Sequence, residues 1–80
     1  MKRKDQELVA IGKRIRELRK SKGFSQEGFA HAAGIARTYM GHIERGEQNI
    51  SVKVLLKIAR TLNMGVEEIV LHIRDLERDD

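Results

Sequence analysis

The 80-residue chain is predicted to fold as an all-α protein, a compact five-helix bundle, and three observations lead to that prediction. It has no proline or tryptophan and only three aromatic residues, whereas residues that favour helices are abundant. Its apolar residues recur at intervals of three and four, which is the period of a helix. Glycines and small polar residues divide it into five segments. The length suits a single domain over residues 1–80.

The first helix is predicted to run from about Asp5 to Lys22 and to end at Gly23, because glycine readily adopts the left-handed conformation that ends helices. One side of it carries an apolar stripe, formed by Leu8, Ile11, Ile15 and Leu18. The second helix is predicted to begin after Ser25, whose hydroxyl group can cap the first turn, and to end at Gly34.

The third helix is predicted to start at Arg37, only two residues after Gly34, and to end at Gly46. Its apolar side is formed by Ile35, Met40 and Ile43, and its polar side by Arg37, Thr38, Gly41, His42 and Arg45. A short helix, a glycine turn and a second helix form the helix-turn-helix pattern, in which the turn requires a positive φ.

The fourth helix is predicted to follow Ser51, another good N-cap, with an inner face of Val54, Leu55, Ile58, Ala59 and Leu62. The last helix, about residues 66–77, carries Val66, Ile69, Val70, Ile73 and Leu76. This stripe is broader than so small a core requires, so part of it is predicted to form a two-fold dimer interface. The predicted interface residues are Leu62, Met64, Val66, Ile69, Val70 and Ile73. The alternative is that the whole stripe packs within one chain.

Several classes of function are excluded by composition and spacing. Without cysteine, disulfides and thiolate metal sites are excluded, and the three histidines lie on different predicted helices, so we expect no metal and no cofactor. No serine has a base within a readable spacing, so we expect no enzyme. Apolar runs of at most four residues predict no membrane association and a cytoplasmic protein.

Charge is distributed unevenly along the chain. Residues 1–22 hold nine basic and three acidic groups, whereas residues 66–80 hold two basic and six acidic groups. The basic end suits a polyanion such as nucleic acid, and the acidic end is expected to lie away from it. The alternative is that the imbalance between charged helices has no function.

Residues spread over much of the chain resemble those of the Cro/cI-type (XRE family) helix-turn-helix transcriptional regulators, which have the lambda-repressor-like DNA-binding fold. The matching residues are Gly23-Phe24-Ser25-Gln26-Glu27, Ala30, Gly34-Ile35, Met40, Ile43-Glu44-Arg45-Gly46, Asn49, Ser51 and Leu55-Leu56-Lys57-Ile58-Ala59-Arg60. The resemblance covers roughly residues 8–71. Arg37-Thr38-Tyr39, with the segment that follows it, is similar more narrowly to the controller proteins of restriction–modification systems. The sequence departs from the family pattern at Gly28, Ala36 and Gly41.

The resemblance implies a role for particular residues. In helix-turn-helix geometry the start of the motif's second helix, here the predicted third helix, faces base edges in the major groove, which assigns base contacts to Arg37 and Thr38. His42, one turn beyond Thr38 on the same face, is also assigned a base contact. The resemblance assigns phosphate contacts to Gln26, Tyr39, Arg45, Asn49 and Lys53. It also implies that Arg19 and Glu44 form a partly buried salt bridge. The alternatives are solvated surface for the base-contacting residues, an ordinary helix start for Gln26 and a core-edge position for Tyr39.

The function implied is that of a sequence-specific regulator of transcription. It would bind double-stranded DNA as a homodimer on an inverted-repeat operator, without a cofactor, and regulate its own gene, as the controller of a restriction–modification system. It would block RNA polymerase at one site or recruit it from another. The alternative is an antitoxin or adaptor whose last helix binds a different protein.

Overall fold

The computed structural model describes residues 5–71, and that part of the chain is built from five helices with no strand. The helices are α1 (Gln6–Ser21), α2 (Gln26–Ala33), α3 (Arg37–Glu44), α4 (Val52–Leu62) and α5 (Val66–Val70). The prediction of an all-α five-helix fold is confirmed.

Side-chain caps set where three of the helices begin. Asp5 accepts hydrogen bonds from two first-turn N–H groups at 2.9 and 3.2 Å, so α1 starts at Gln6, one residue later than predicted. Ser25 and Ser51 cap α2 and α4 as predicted, at 2.9 and 3.1 Å. Gly34 ends α2 with φ of 72°, a left-handed conformation that costs glycine little, and the chain turns directly into α3.

The core lies between all five helices. Its completely buried large side chains are Phe29, Ile15, Met40, Ile43, Ile58, Leu62 and Ile69. Within this arrangement α3 packs against α1 and α2, and α5 packs against α1 and α4. Helix α3, the second helix of the helix-turn-helix pattern, is therefore held on its inner side by two other helices.

The backbones of α1 and α3 approach so closely that they leave no room for side chains between them. A Cβ atom on Gly12 would lie 2.8 Å from the carbonyl oxygen of Glu44 and closer still to that of Ile43. A Cβ atom on Gly46, just after α3, would lie 2.6 Å from Cα of Val9. These two glycines let α1 support α3 along its last turn.

The residues predicted for a dimer interface differ in burial, so only some of them can contact a second chain. Leu62 and Ile69 are 0% exposed, so their side chains fill the core of one chain and offer no surface to a second. Met64, Val66 and Val70 are half-buried. Ile73 lies outside the described residues, as does the predicted last helix beyond residue 71. Leu71, which was not predicted, is 60% exposed.

Within residues 5–71, none of the helices combines the length and the apolar character that crossing a membrane requires. The same residues contain no cluster of three metal-ligating side chains.

Candidate nucleic-acid interface

Helix α3 has one buried side and one exposed side. Met40 and Ile43 are completely buried in the core, whereas Arg37 and Thr38 in the first turn are exposed. The exposed side therefore begins with a guanidinium group and a hydroxyl group, both of which can form hydrogen bonds with base edges.

A polar recess of about 130 Å³ lies between the start of α2 and the exposed side of α3. It is lined by Gln26, Arg37, Thr38, Gly41 and Arg45, so it brings together four of the residues predicted to contact DNA. It offers two guanidinium groups, an amide and a hydroxyl, a set of donors that suits phosphate oxygens and base acceptors.

Two further residues predicted to contact phosphate lie outside the recess. Asn49 is exposed in the loop between α3 and α4, and Lys53 is exposed on the first turn of α4. Both follow α3 in the chain and carry polar groups into solvent.

Gly41 was predicted on the exposed side of α3, but the structure places it among the buried residues of the helix. The reason is that the guanidinium group of Arg45, one turn further on, lies over it. A Cβ atom on Gly41 would be 3.3 Å from Nη1 of Arg45 and 3.6 Å from Oε1 of Gln26. A side chain at residue 41 would therefore press on the end of Arg45, whereas its contact with Gln26 would be an ordinary one.

A buried ion pair joins α1 to α3, as the resemblance implied. Arg19 donates to Glu44 from Nε at 2.7 Å and from Nη2 at 3.0 Å, with side chains only 7% and 3% exposed. The third nitrogen of Arg19, Nη1, donates to the carbonyl oxygen of Phe24 at 2.8 Å. Gln26 donates from Nε2 to Glu44 at 3.1 Å. Gln26 therefore braces α3 as well as lining the recess.

The side chain of Tyr39 is engaged with the protein itself. Its hydroxyl group donates to the carbonyl oxygen of Asn49 at 3.0 Å. This bond ties α3 to the loop that leads to α4, and it uses the single O–H donor of Tyr39. The geometry therefore supports a structural contact for Tyr39 rather than a contact with phosphate.

Sequence reasoning missed Glu47, which holds two of the residues predicted to contact DNA. Its Oε1 accepts from Nε of Arg45 at 3.0 Å and lies 3.0 Å from Nδ1 of His42. Nδ1 of His42 is also 3.3 Å from Nη2 of Arg45. The available signal was a single carboxylate placed just after Gly46, within reach of the end of α3.

Residues 15–69 of the chain match the family described as Helix-turn-helix. An HTH-type transcriptional regulator of Bacillus subtilis, YazB, is 45% identical over 58 residues, covering 72% of this chain and 84% of YazB. SinR, an HTH-type transcriptional regulator of the same organism, is 37% identical over 70 residues, covering 86% of this chain and 63% of SinR.

Solved structures agree with these sequence matches. The restriction–modification controller protein C.AhdI from Aeromonas hydrophila superposes with a TM-score of 0.79 at 43% identity, covering 81% of this chain and 98% of C.AhdI. SinR in complex with DNA superposes with a TM-score of 0.71 at 40% identity, covering 74% of this chain and 95% of the SinR chain. These relatives are named as regulators and not as enzymes.

Proposed function

The chain belongs to the helix-turn-helix family of DNA-binding transcriptional regulators, close to restriction–modification controller proteins, and we propose that it binds an inverted-repeat operator as a homodimer and regulates its own gene. In this proposal, Arg37 and Thr38 read base edges in the major groove. Operator occupancy blocks RNA polymerase at one site or recruits it from another.

The observation that carries the proposal is the polar recess beside the exposed start of α3. A helix fits the major groove, and its first residues then lie nearest the base edges. Arg37 is at that position and exposed, and its guanidinium group matches the O6 and N7 acceptors of guanine. Arg45 and Lys53 supply positive charge, and the start of α2 supplies backbone N–H groups, that suit phosphates on either side.

The test is a titration of the protein on the duplex from upstream of its own gene and on a random duplex of equal length, followed by fluorescence anisotropy. We expect Arg37→Ala to weaken binding to the upstream duplex by about 10- to 100-fold, since a bidentate base contact contributes about 1–3 kcal/mol. Binding to random DNA should weaken much less.

The matched control is Arg60→Ala, which removes the same charge from the exposed last turn of α4. It should bind the upstream duplex within about twofold of the unaltered protein. If Arg37→Ala and Arg60→Ala lose the same affinity on both duplexes, Arg37 contributes charge only and does not read bases.

Dimerisation is proposed through the surface at the end of α5. Met64, Val66 and Val70 are half-buried and Leu71 is exposed, so apolar side chains in and beside α5 remain accessible to a partner. A single recognition helix reads few base pairs, whereas two helices related by a dyad read an inverted repeat.

Sedimentation velocity tests the dimer directly. The protein should sediment as a dimer at micromolar concentration, and Leu71→Glu should raise the dissociation constant at least tenfold, because the new carboxylate would be buried at the interface. A monomer at all concentrations would favour the alternative, an antitoxin or adaptor that uses this surface for a different protein.

A further inference from the structure

Glu47 lies just after Gly46, beyond the end of α3, and contacts two residues proposed to bind DNA, although an acidic group repels phosphate. Its carboxylate is not simply solvated. It contacts Nε of Arg45 and Nδ1 of His42, both at 3.0 Å, and its side chain is 36% exposed. Because Glu47 contacts two residues proposed to bind DNA, its effect on those two side chains has to be considered.

The contact between Glu47 and His42 favours an imidazole ring that carries a proton on Nδ1. A carboxylate oxygen is only an acceptor, so a distance of 3.0 Å is attractive only if Nδ1 carries a hydrogen. Nη2 of Arg45 is only a donor and would favour the opposite tautomer, but it is farther away, at 3.3 Å. The shorter contact, to a full negative charge, is the stronger one.

We propose that Glu47 is a positioning residue that holds neutral His42 with its proton on Nδ1, so that Nε2 is presented as an acceptor to a base amino group. The other ring nitrogen commonly sets which group a histidine offers to a ligand. In the major groove the amino groups are N6 of adenine and N4 of cytosine. His42 then accepts from adenine or cytosine, whereas Arg37 donates to guanine.

The resemblance assigns His42 a base contact, and the proposal adds that the imidazole ring accepts the hydrogen bond in that contact. It rests on the proposed function for the identity of the ligand. The tautomer itself is a property of the DNA-free protein, so it is measured separately from DNA binding.

The first experiment is a long-range ¹H–¹⁵N spectrum of the histidine side chains, recorded at about pH 8, where imidazole is normally neutral. The His42 signals should show the Nδ1–H form as the main one. Glu47→Ala should convert most of it to the Nε2–H form, since Arg45 then remains as the neighbour of Nδ1. Glu47→Gln, which keeps a neutral acceptor oxygen, should lie between the two.

Glu17→Ala is the matched control, because it removes an exposed carboxylate from the groove between α1 and α5. It should leave the His42 signals unchanged. The proposal is overturned if the unaltered protein shows the Nε2–H form, or if the three proteins that differ at residue 47 show equal populations.

The second experiment removes the amino group from DNA. At the base pair whose discrimination is lost in His42→Ala, purine replaces adenine, or 2-pyrimidinone replaces cytosine. The unaltered protein should lose about five- to tenfold in affinity, the range expected for one hydrogen bond, and His42→Ala should lose nothing further. An equal loss for both proteins would overturn the base contact. Failure of all specific binding would instead overturn the proposed function, while the spectra would still decide the role of Glu47.

Discussion

At the scale of single residues, the buried pair of Arg19 and Glu44 couples stability to the placement of α3. Three nitrogens of Arg19 donate at 2.7–3.0 Å, two of them to Glu44. Removal of a carboxylate from water is costly and is offset here by these bonds and by the amide of Gln26. The pair therefore matters for stability mainly because the loss of one partner would leave the other charge buried and unpaired.

Arg19→Ala is expected to destabilise the protein by about 3–5 kcal/mol, because Glu44 would stay buried without its cation. Urea unfolding followed by circular dichroism measures this. Arg16→Ala, which removes an exposed arginine from the same helix, is the control and should change the free energy of unfolding by less than about 0.5 kcal/mol. An unchanged melting temperature for Arg19→Ala would contradict a structural role for the pair.

Some single-residue features could be predicted and others could not. The ion pair was implied by the resemblance, and the caps at Ser25 and Ser51 follow from local chemistry. The contacts of Glu47 depend on how the chain turns after Gly46 and on the side-chain conformation of Arg45, which no sequence spacing encodes. The need for glycine at residue 12 likewise depends on the distance between two helix backbones.

At the scale of elements, α3 is the one helix of the motif that lacks a side-chain cap at its start. Ala36 occupies the N-cap position with an extended backbone, φ of −60° and ψ of 135°, and forms no side-chain hydrogen bond. Ser25 before α2 has a similar backbone and caps its helix at 2.9 Å. The two positions therefore differ in the side chain and not in the geometry.

Ala36→Ser is expected to stabilise the protein by about 0.5–1 kcal/mol, because the new hydroxyl group would accept from an N–H in the first turn of α3. Thermal unfolding measures the change. Ser25→Ala is the reciprocal control, with an expected loss of about 1 kcal/mol. A destabilised Ala36→Ser protein would show that the start of α3 cannot accept a cap in this fold.

Helix starts and the end of α2 at Gly34 were predicted well because caps and turn glycines act locally, whereas the ends of α3 and α5 and the helix faces were predicted less well. Periodicity assigned Gly41 to the exposed side of α3, and its angular position on the helix does match that of Arg45. It is buried because a neighbouring side chain folds back over it. Periodicity predicts the side of a helix on which a residue lies, but it does not predict whether a neighbouring side chain covers that residue.

At the scale of the whole molecule, the apolar stripe near the C-terminus had to be divided between a core and an interface. Its spacing is the same for both, so sequence alone placed Leu62 and Ile69 in the interface, although the structure buries both completely. The division is set by the packing of α5 on α1 and α4, a tertiary property. The side chains that remain accessible to a partner are half-buried Met64, Val66 and Val70 and exposed Leu71.

Salt dependence tests the proposed phosphate contacts and the proposed dimer in one measurement. The logarithm of affinity falls by about 0.9 per phosphate contact for each logarithmic unit of salt. If each subunit places Lys53 on a phosphate, Lys53→Ala should reduce this slope by about 1.8 on an inverted repeat bound by a dimer. On a duplex short enough to hold only one half-site, only one subunit can reach phosphates, and the reduction should be about 0.9.

The ratio between the reduction in slope on the inverted repeat and that on the single half-site tests for two-fold binding. Arg60→Ala, which removes an exposed cation from the last turn of α4, is the control and should leave both slopes unchanged. Equal reductions on the two duplexes would contradict two-fold binding, because a second subunit would then add no phosphate contact. No reduction on either duplex would remove Lys53 from the interface. A twofold ratio requires both a phosphate contact and a dyad, since neither alone doubles the number of counterions released.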